Sequence, residues 1–386
     1  ILIVLAAGVL GVTEPVAAED HLGLRADMQN TLDAFRDRYG FPGATAAIAL
    51  SDGTVFAAST GFADIEAARA MTPETKMLAA SIGKTFVAAT MLALESDGLL
   101  ARPDLLSDHL GDRAWFGSLP NGSTITIGRL LRHEAGLPDH PNMPAFQSAA
   151  AARFAVGDAA FSPEELLGFV KDEVPLFEPG VGWAYSDTGY ILLGLIIEAV
   201  TGQTYYEVVQ QRFLDPLGLD CTVQSDGRDI SGLPVSYTVP VNPFGLPERT
   251  ADGEGNLLWD PGVEWTGGGL ASTSRDLARW GHALYGGLAM GAPYLDRLLD
   301  AIPVAPDAPD VRFGAGVAAY AETPRGPVYG HGGLMPGYVS SLRHNADDGV
   351  TIAFQINTDA SVVDDSSDLV PALDAALADL ALARAP

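Results

Sequence analysis

The spacing of apolar residues divides the chain into three successive blocks. In the first block, apolar residues recur at helical spacing over 24–39, and Gly40 follows as a helix stop. Two short apolar runs, 44–50 and 54–59, flank the turn residues 51–53 and predict a β-hairpin. The chain therefore opens with a helix followed by paired strands.

The second block, from about 100 to 230, is dominated by helix signals. Residues that cap helix N-termini precede apolar runs at Thr126, Ser162 and Thr204, the last two within capping boxes. The run 189–199 is apolar except for Glu198 and predicts an apolar helix that Gly202 ends. This block is expected to be all-helical.

The third block returns to strands after an irregular stretch. Residues 234–262 are rich in Pro, Gly and Asp, and predict a long loop. Helices are predicted at 273–285, 293–302 and 368–382, and strands at 313–320, 327–329, 338–343 and 350–357. Strands therefore occur at both ends of the chain.

This order of elements predicts an α/β (α+β) fold with one antiparallel sheet flanked by helices and an inserted all-helical domain. The sheet domain would comprise 20–80 and 266–386, and the helical domain 81–265 with the loop 234–262. Clefts between such domains are preferred sites for small ligands.

Composition and charge exclude several classes of function. The chain has 386 residues, 47% of them apolar, and a net charge of −27, so it can bury a core but lacks the basic face that a nucleic-acid binder needs. Cys221 is the single cysteine, and no Cys/His cluster has metal-ligand spacing. No cofactor and no metal is expected, and we expect a monomer.

The N-terminal segment predicts export. Residues 1–12 are almost wholly apolar, too few to span a bilayer, and small residues follow up to Ala18. Residues 1–18 are interpreted as a truncated signal peptide without its basic leader, which implies a secreted or periplasmic protein with no stable membrane span. A buried N-terminal helix is the alternative.

The chain's central chemical feature is Ser81-Ile82-Gly83-Lys84, which precedes the apolar run 86–94. On a helix, Ser81 and Lys84 lie one turn apart on the same face, as a nucleophile and its base require. Only three lysines occur beside nineteen arginines, and arginine cannot serve as a base, which favours a chemical role for Lys84. A helix cap with a chance lysine is the alternative.

Two distant segments could complete a site around Ser81. Tyr185-Ser186-Asp187 lies in a Gly/Pro-rich loop that leads into an apolar helix. His331-Gly332-Gly333 follows a short apolar run, and its glycines would let a substrate lie close to the backbone. An ordinary helix cap and a hairpin with a surface histidine are the alternatives.

Taken together, the three segments resemble the motifs of the serine β-lactamase and penicillin-binding-protein superfamily. The order S-x-x-K, Y-x-N and K-T-G, or a histidine variant of the last, is matched by residues 81–84, 185–187 and 331–333. The resemblance covers residue 22 to the end, and is strongest to the branch of class C β-lactamases, DD-carboxypeptidases and family VIII esterases.

The resemblance implies a role for each matched residue. Ser81 would be the acylated nucleophile, while Lys84 and Tyr185 would share the role of base. The backbone N–H groups of Ser81 and Leu334 would form the oxyanion hole, and His331 would line the strand edge where the substrate docks. A lysine base must be neutral part of the time, so we expect burial to lower its pKa.

Two departures from the family pattern affect the choice of substrate. Asp187 replaces asparagine, so it adds negative charge and should favour charged Lys84. His331 replaces lysine, and a neutral histidine holds a carboxylate less strongly. Both changes favour an esterase or a peptidase acting on D-amino-acid amides, with β-lactams only as slow acylating agents. A weak class C-like β-lactamase and a non-catalytic relative that binds penicillin or peptidoglycan are the alternatives.

Two other motifs match only in part. Gly83-Lys84-Thr85 resembles the end of a P-loop, but Leu78 stands where the first glycine belongs. The segment 79–83 half-matches a nucleophile elbow, but the helical middle block does not fit the parallel βαβ series of an α/β-hydrolase.

Overall fold

The computed structural model describes residues 15–360 and 369–383. The predicted signal-peptide core, residues 1–12, lies outside the described residues. The helices are α1 Pro15–Tyr39, α2 Gly83–Ser96, α3 Leu106–Leu110, α4 Ile127–Leu131, α5 Pro144–Ala155, α6 Pro163–Gly168, α7 Asp187–Thr201, α8 Tyr205–Val209, α9 Asp215–Leu217, α10 Ser274–Tyr285, α11 Tyr294–Leu299 and α12 Leu369–Leu382. None of the described helices is both long and apolar enough to cross a membrane.

Strands from the two ends of the chain form one antiparallel sheet. The strands are β1 Gly43–Ala49, β2 Val55–Asp64, β3 Arg69–Ala70, β4 Met77–Leu78, β5 Val223–Gln224, β6 Leu270–Ser272, β7 Ile302–Pro303, β8 Val311–Phe313, β9 Ala318–Tyr320, β10 Val328–Met335, β11 Tyr338–Asn345 and β12 Val350–Ile356. The large sheet has the order β3-β2-β1-β12-β11-β10-β9-β8-β7, and β4, β6 and β5 form a small second sheet. The first hairpin pairs directly with β12, as in the register Ala46 opposite Phe354.

Helices cover both faces of the large sheet. Alternate residues of β1 belong to two different hydrophobic cores, one on each face. Along β1, Ala44, Ala46 and Ile48 belong to a core shared with α1 and α12. The alternate residues Ala47 and Ala49 belong to the larger core that contains α2 and α7. Because successive strand residues point to opposite faces, the two cores lie on opposite sides of the sheet. The predicted fold class, an antiparallel sheet flanked by helices, is confirmed.

Two apolar helices lie inside the larger core, as their sequences predict. Helix α2 buries most of its side chains, Lys84 among them, and α7 is buried from Thr188 to Ile197. Gly202 ends α7 in the left-handed conformation that favours glycine. The capping boxes at Ser162 and Thr204 are both formed.

Several predicted elements differ from the structure. The block expected to be all-helical contains the short strand β5, and the first helix begins at Pro15 rather than at Leu24. The strand expected at 313–320 is two strands, because Gly316 at φ +65° turns the chain between β8 and β9. Ile302, predicted to end a helix, begins β7. The strand expected to end at Tyr329 continues through the glycines to Met335, paired with β11 along its whole length.

Candidate active site

Ser81 lies in a single 3₁₀ turn, Ala80–Ile82, directly before α2. Ala80 has φ +50°, in the left-handed region, and such strained residues cluster at functional sites. Glycines allow the neighbouring backbones to approach this turn. A Cβ on Gly83 would lie 1.8 Å from the carbonyl oxygen of Gly268, and one on Gly333 would lie 2.4 Å from that of Ala79. The Ser81 turn is therefore held between Gly268 and β10.

Lys84 lies behind Ser81 and is fully buried. Its Nζ donates to Ser81 Oγ at 3.1 Å and to the carbonyl oxygen of Gly267. The same Nζ lies 2.5 Å from Asp187 Oδ1 in an ion pair. The two residues of the motif thus meet on one face, as their spacing predicts.

The charge state of Lys84 differs from the expectation. Burial by itself lowers the pKa of Lys84, but the charges and hydrogen bonds of Asp187 and Tyr185 outweigh it and raise the pKa above its ordinary value. The predicted low pKa is therefore wrong for the free protein. The predicted effect of Asp187, which favours charged Lys84, has the expected direction.

Tyr185 approaches the same two residues from the loop before α7. Its ring centroid lies 4.9 Å from Lys84 Nζ. Its buried hydroxyl has no hydrogen bond of ordinary geometry to any described residue, although Lys84 and Ser81 lie near enough to favour its ionised form. Burial nevertheless raises the pKa of Tyr185, so the resting pair is charged lysine and neutral tyrosine.

His133, two residues after the end of α4, packs against Tyr185. Its ring centroid lies 4.3 Å from that of Tyr185, and its Nδ1 accepts the backbone N–H of Ser186 at 3.2 Å. Burial lowers the pKa of His133 well below its ordinary value, so the ring is neutral. These contacts make His133 a positioning residue for the 185–187 loop.

His331 lies in β10 rather than in a loop, and is only 6% exposed. Burial lowers its pKa to about 3, so the ring is neutral at physiological pH. Its Nδ1 lies 2.5 Å from the carbonyl oxygen of Gly332, so Nδ1 carries the proton and Nε2 is left as an acceptor. In this tautomer His331 cannot donate to a substrate carboxylate through Nε2.

A cleft of about 620 Å³ joins most of the predicted residues. It is lined by Ser81, Tyr185, Asp187, His331, Gly332, Gly333 and Leu334. Lys84 does not line the cleft itself, but its Nζ donates a hydrogen bond to Ser81 Oγ, which does.

Arg343 and Tyr320 also line this cleft, and sequence reasoning missed both. Arg343 lies on β11 opposite Gly330, and its Nε is 3.8 Å from a carboxylate oxygen of Asp374. The pairing of the predicted strands 327–329 and 338–343 could have placed Arg343 beside the glycine segment.

Sequence reasoning also missed two acidic groups behind Asp187. Asp139 Oδ1 accepts the backbone N–H of Asp187 at 2.7 Å. Burial and the charge of Asp187 raise the pKa of Asp139 to about 7. Burial raises the pKa of Glu264 to about 8, although Lys84 favours its charged form. No sequence motif marks either residue; both are close because loops pack on α7. Among the described residues, no group of acidic, His or Cys side chains is arranged to hold a metal ion.

A second, apolar pocket of about 310 Å³ adjoins the cleft. Asp187 and Leu334 line both spaces. The aromatic walls of the pocket are Phe146, Phe154, Phe244 and Trp259, the last two contributed by the predicted loop 234–262.

Comparison with known proteins assigns the family. The family model described as Beta-lactamase matches residues 28–377. The chain belongs to the Beta-lactamase family. The resemblance that rests on the motifs at 81–84, 185–187 and 331–333 is therefore confirmed at the level of the family.

Relatives of this Beta-lactamase family member carry several activities in their names. Penicillin-binding protein 4 of Amycolatopsis lactamdurans is 27% identical over 348 residues, which are 86% of this chain and 85% of that protein. A D-aminopeptidase of Cereibacter sphaeroides is 24% identical over 357 residues, 89% of this chain but only 62% of that protein. The chain therefore spans less than two thirds of the D-aminopeptidase.

Solved structures share the fold. A D-stereospecific amidohydrolase from Streptomyces sp. superposes with a TM-score of 0.75 at 25% identity, covering 87% of this chain and 94% of that one. D-amino acid amidase from Ochrobactrum anthropi SV3 gives a TM-score of 0.76 at 24% identity, with 93% and 98% covered. The predicted class, a serine hydrolase related to the β-lactamases, is confirmed at this level.

Proposed function

We propose that the protein forms an acyl-enzyme at Ser81 and cleaves esters, or amides and peptides of D-amino acids. The observation that carries the proposal is the distance of 3.1 Å between Lys84 Nζ and Ser81 Oγ at the floor of the cleft. A nucleophile within hydrogen-bond reach of its base is the arrangement that acyl transfer needs.

The reaction would proceed in two displacements. Neutral Lys84 accepts the hydroxyl proton of Ser81 while Oγ bonds to the substrate carbonyl carbon, and the carbonyl electron pair moves to oxygen. The backbone N–H groups of Ser81 and Leu334 would stabilise that oxyanion. The proton then passes through Lys84 and Tyr185 to the leaving amine or alcohol, and water later releases the acyl group by the same steps.

The unpaired edge of β10 favours a peptide-like substrate. This strand pairs with β11 over its full length but with β9 only over Val328–Gly330. Over 331–335 no described strand occupies the other edge, so an extended substrate can add main-chain hydrogen bonds there. The named activities of the D-aminopeptidase and the D-amino acid amidase agree with such a substrate.

A β-lactamase is the less favoured function. Asp187 adds negative charge to the cleft, and neutral His331 offers no cation to the carboxylate of a β-lactam. Arg343, the cation that does line the described cleft, lies 3.8 Å from the carboxylate of Asp374. Slow acylation by penicillin remains compatible with the geometry. A non-catalytic binding protein would have no need for Ser81, Lys84 and Tyr185 to converge.

The export of the protein stays a prediction that rests on residues 1–12. The expected monomer and the division into domains at 20–80 with 266–386 and at 81–265 stay predictions as well.

Labelling with a fluorescent penicillin and hydrolysis of a p-nitrophenyl ester test the proposed function. Wild type should be labelled and should turn over the ester, and Ser81→Ala should do neither. Ser96→Ala, at the exposed end of the same helix, is the matched control and should behave as wild type. No labelling and no turnover by wild type would exclude the enzyme, whereas equal activity of Ser81→Ala would exclude the site.

A further inference from the structure

Asp187 stands at the junction of the two spaces described above. It lines the Ser81 cleft and the apolar pocket, and its side chain is 22% exposed while it pairs with fully buried Lys84. Among the described carboxylates, Asp187 alone forms an ion pair with Lys84, so a ligand that fills the pocket contacts this ion pair directly. Any charge on that ligand acts directly on the ion pair.

The pocket combines apolar walls with an unsatisfied carboxyl group. Phe146, Phe244 and Trp259 provide aromatic surface. Glu264 also lines it, is only 8% exposed, and its Oε2 has no hydrogen-bond partner among the described residues. A buried polar atom without a partner is costly, so a donor from a ligand is the expected complement.

We infer that the pocket binds the apolar side chain of an α-amino ester or amide, while Asp187 and Glu264 bind its free ammonium group, which replaces Lys84 as the counter-ion of Asp187. This inference rests on the proposed function and names its substrate class. Phenylalanine-like side chains match the aromatic walls in chemistry.

The charges around Asp187 favour a cation over an anion. Asp139 and Glu264 lie close enough to Asp187 for its charge to raise the pKa of each, and Lys84 is the one cation among these groups. With pKa values near 7 and 8, both acids carry protons that they can release when a positive charge arrives. An acyl group bearing a carboxylate would meet the opposite effect.

The ammonium group would also activate the base. Asp187 is a main reason that Lys84 is held charged, so a second cation that shares Asp187 weakens this effect. The positive charge of that cation lowers the pKa of Lys84 further. Lys84 then loses one proton to solvent, and its neutral Nζ accepts the hydroxyl proton of Ser81 as Oγ bonds to the carbonyl carbon. A substrate that carries the ammonium group would thus generate the neutral Lys84 that deprotonates Ser81.

Other titratable groups face the same lysine and must be considered in any pH profile. They are Tyr185, Asp187, His133, His331, Asp139, His140 and Glu264. Burial lowers the pKa of His140 to about 4, and His331 lies lower still, so neither histidine titrates near neutral pH. Asp139 and Glu264 are the acids that do.

A matched pair of substrates tests the inference. D-phenylalanine p-nitroanilide carries the ammonium group, and 3-phenylpropionyl p-nitroanilide lacks it but keeps ring and scissile bond. At pH 6.5 we expect kcat/KM for the amine to exceed that for the neutral anilide at least tenfold. The rise of kcat/KM with pH should also occur at lower pH for the amine.

Substitution of Asp187 separates its role from simple packing. In Asp187→Asn the tenfold preference should disappear, because the ammonium loses its partner. Lys84 also loses its counter-ion, so the neutral anilide should be cleaved at lower pH than by wild type, and penicillin labelling should become faster. Asp112→Asn removes the same charge from an exposed residue that lines neither space, and should keep the preference.

Glu264→Gln provides a second variant if Asp187→Asn does not fold, and it should reduce the preference severalfold. Equal kcat/KM for the two anilides in wild type, or an unchanged preference in Asp187→Asn, would overturn the inference. These results are distinct from failure of the proposed function, in which neither anilide is cleaved and penicillin does not label Ser81.

Discussion

At the scale of single residues, the pair Lys84 and Asp187 sets the chemistry of the site. The family motif has asparagine where this chain has Asp187, and the carboxylate lies 2.5 Å from the lysine that should act as base. While Lys84 is charged, the hydroxyl of Ser81 has no acceptor for its proton, so substrates that do not lower the pKa of Lys84 are expected to react slowly. Under the proposed mechanism, the site therefore favours a substrate that brings positive charge.

Residue chemistry also shows how far the sequence could predict the site. Ser81, Lys84, Tyr185 and His331 were identified by the resemblance, and the structure brings them together around one cleft. Glu264 was not, because its proximity comes from loop packing that no local pattern encodes. The pKa of Lys84 could not be read from sequence either, since it depends on the balance between burial and a partner 103 positions along the chain.

Glu264 should reduce the stability of the folded protein at neutral pH. Its pKa is raised from 4.5 to about 8, so the folded state binds a proton that the unfolded state has released. The stability is fully present below pH 4.5 and is lost as pH rises toward 8, with each unit worth about 1.4 kcal/mol. Glu264→Gln should therefore raise the free energy of unfolding by about 3 kcal/mol at pH 7.

Urea denaturation at several pH values measures this effect. The gain from Glu264→Gln should vanish near pH 4.5 and grow toward pH 8. Glu254→Gln, at an exposed position in the same part of the chain, serves as the control and should change little. A gain that is independent of pH would show that Glu264 does not titrate as described.

At the scale of elements, glycines determine how closely β10 and the Ser81 turn approach each other. A Cβ on Gly330 would lie 1.9 Å from the carbonyl oxygen of Leu342, and one on Gly333 would lie 2.4 Å from that of Ala79. The sequence predicts a strand that ends at Tyr329, followed by glycines that let a substrate lie close to the backbone. The structure shows that Gly330 and Gly333 also allow close contact with the backbone of neighbouring elements, which only the tertiary structure reveals.

The two neighbouring glycines of β10 offer a direct test. In Gly333→Ala the new Cβ would lie 2.4 Å from the carbonyl oxygen of Ala79 and 2.2 Å from Ser340 Oγ. This overpacking should lower the free energy of unfolding by about 2 kcal/mol. Gly332→Ala meets only the carbonyl oxygen of Ser340 at 3.9 Å and should be nearly neutral for stability. Thermal denaturation compares them, and equal losses would mean that the contact with the Ser81 turn is not tight.

At the scale of the whole molecule, the sheet that joins both ends of the chain was predictable because its strands and helices carry clear periodicity. Capping residues located the helices of the middle block within a few residues. The pocket beside Ser81 was not predictable, since the loop 234–262 has no periodic pattern. That loop supplies Phe244 and Trp259 to the pocket. The segment whose structure is hardest to predict from sequence therefore determines the proposed specificity for the substrate side chain.

The net charge of −27 should make both stability and substrate capture depend on salt. Like charges repel within the folded chain, and the distance over which they do so falls from about 10 Å at 0.1 M salt to about 3 Å at 1 M. Raising NaCl over this range should therefore raise the melting temperature, and KCl at equal ionic strength should do the same.

The same negative field attracts a cationic substrate. Raising NaCl over the same range should therefore lower kcat/KM for D-phenylalanine p-nitroanilide severalfold, while kcat/KM for 3-phenylpropionyl p-nitroanilide stays nearly constant. A melting temperature that is unchanged by salt would contradict the first expectation, and a parallel response of the two anilides would contradict the second.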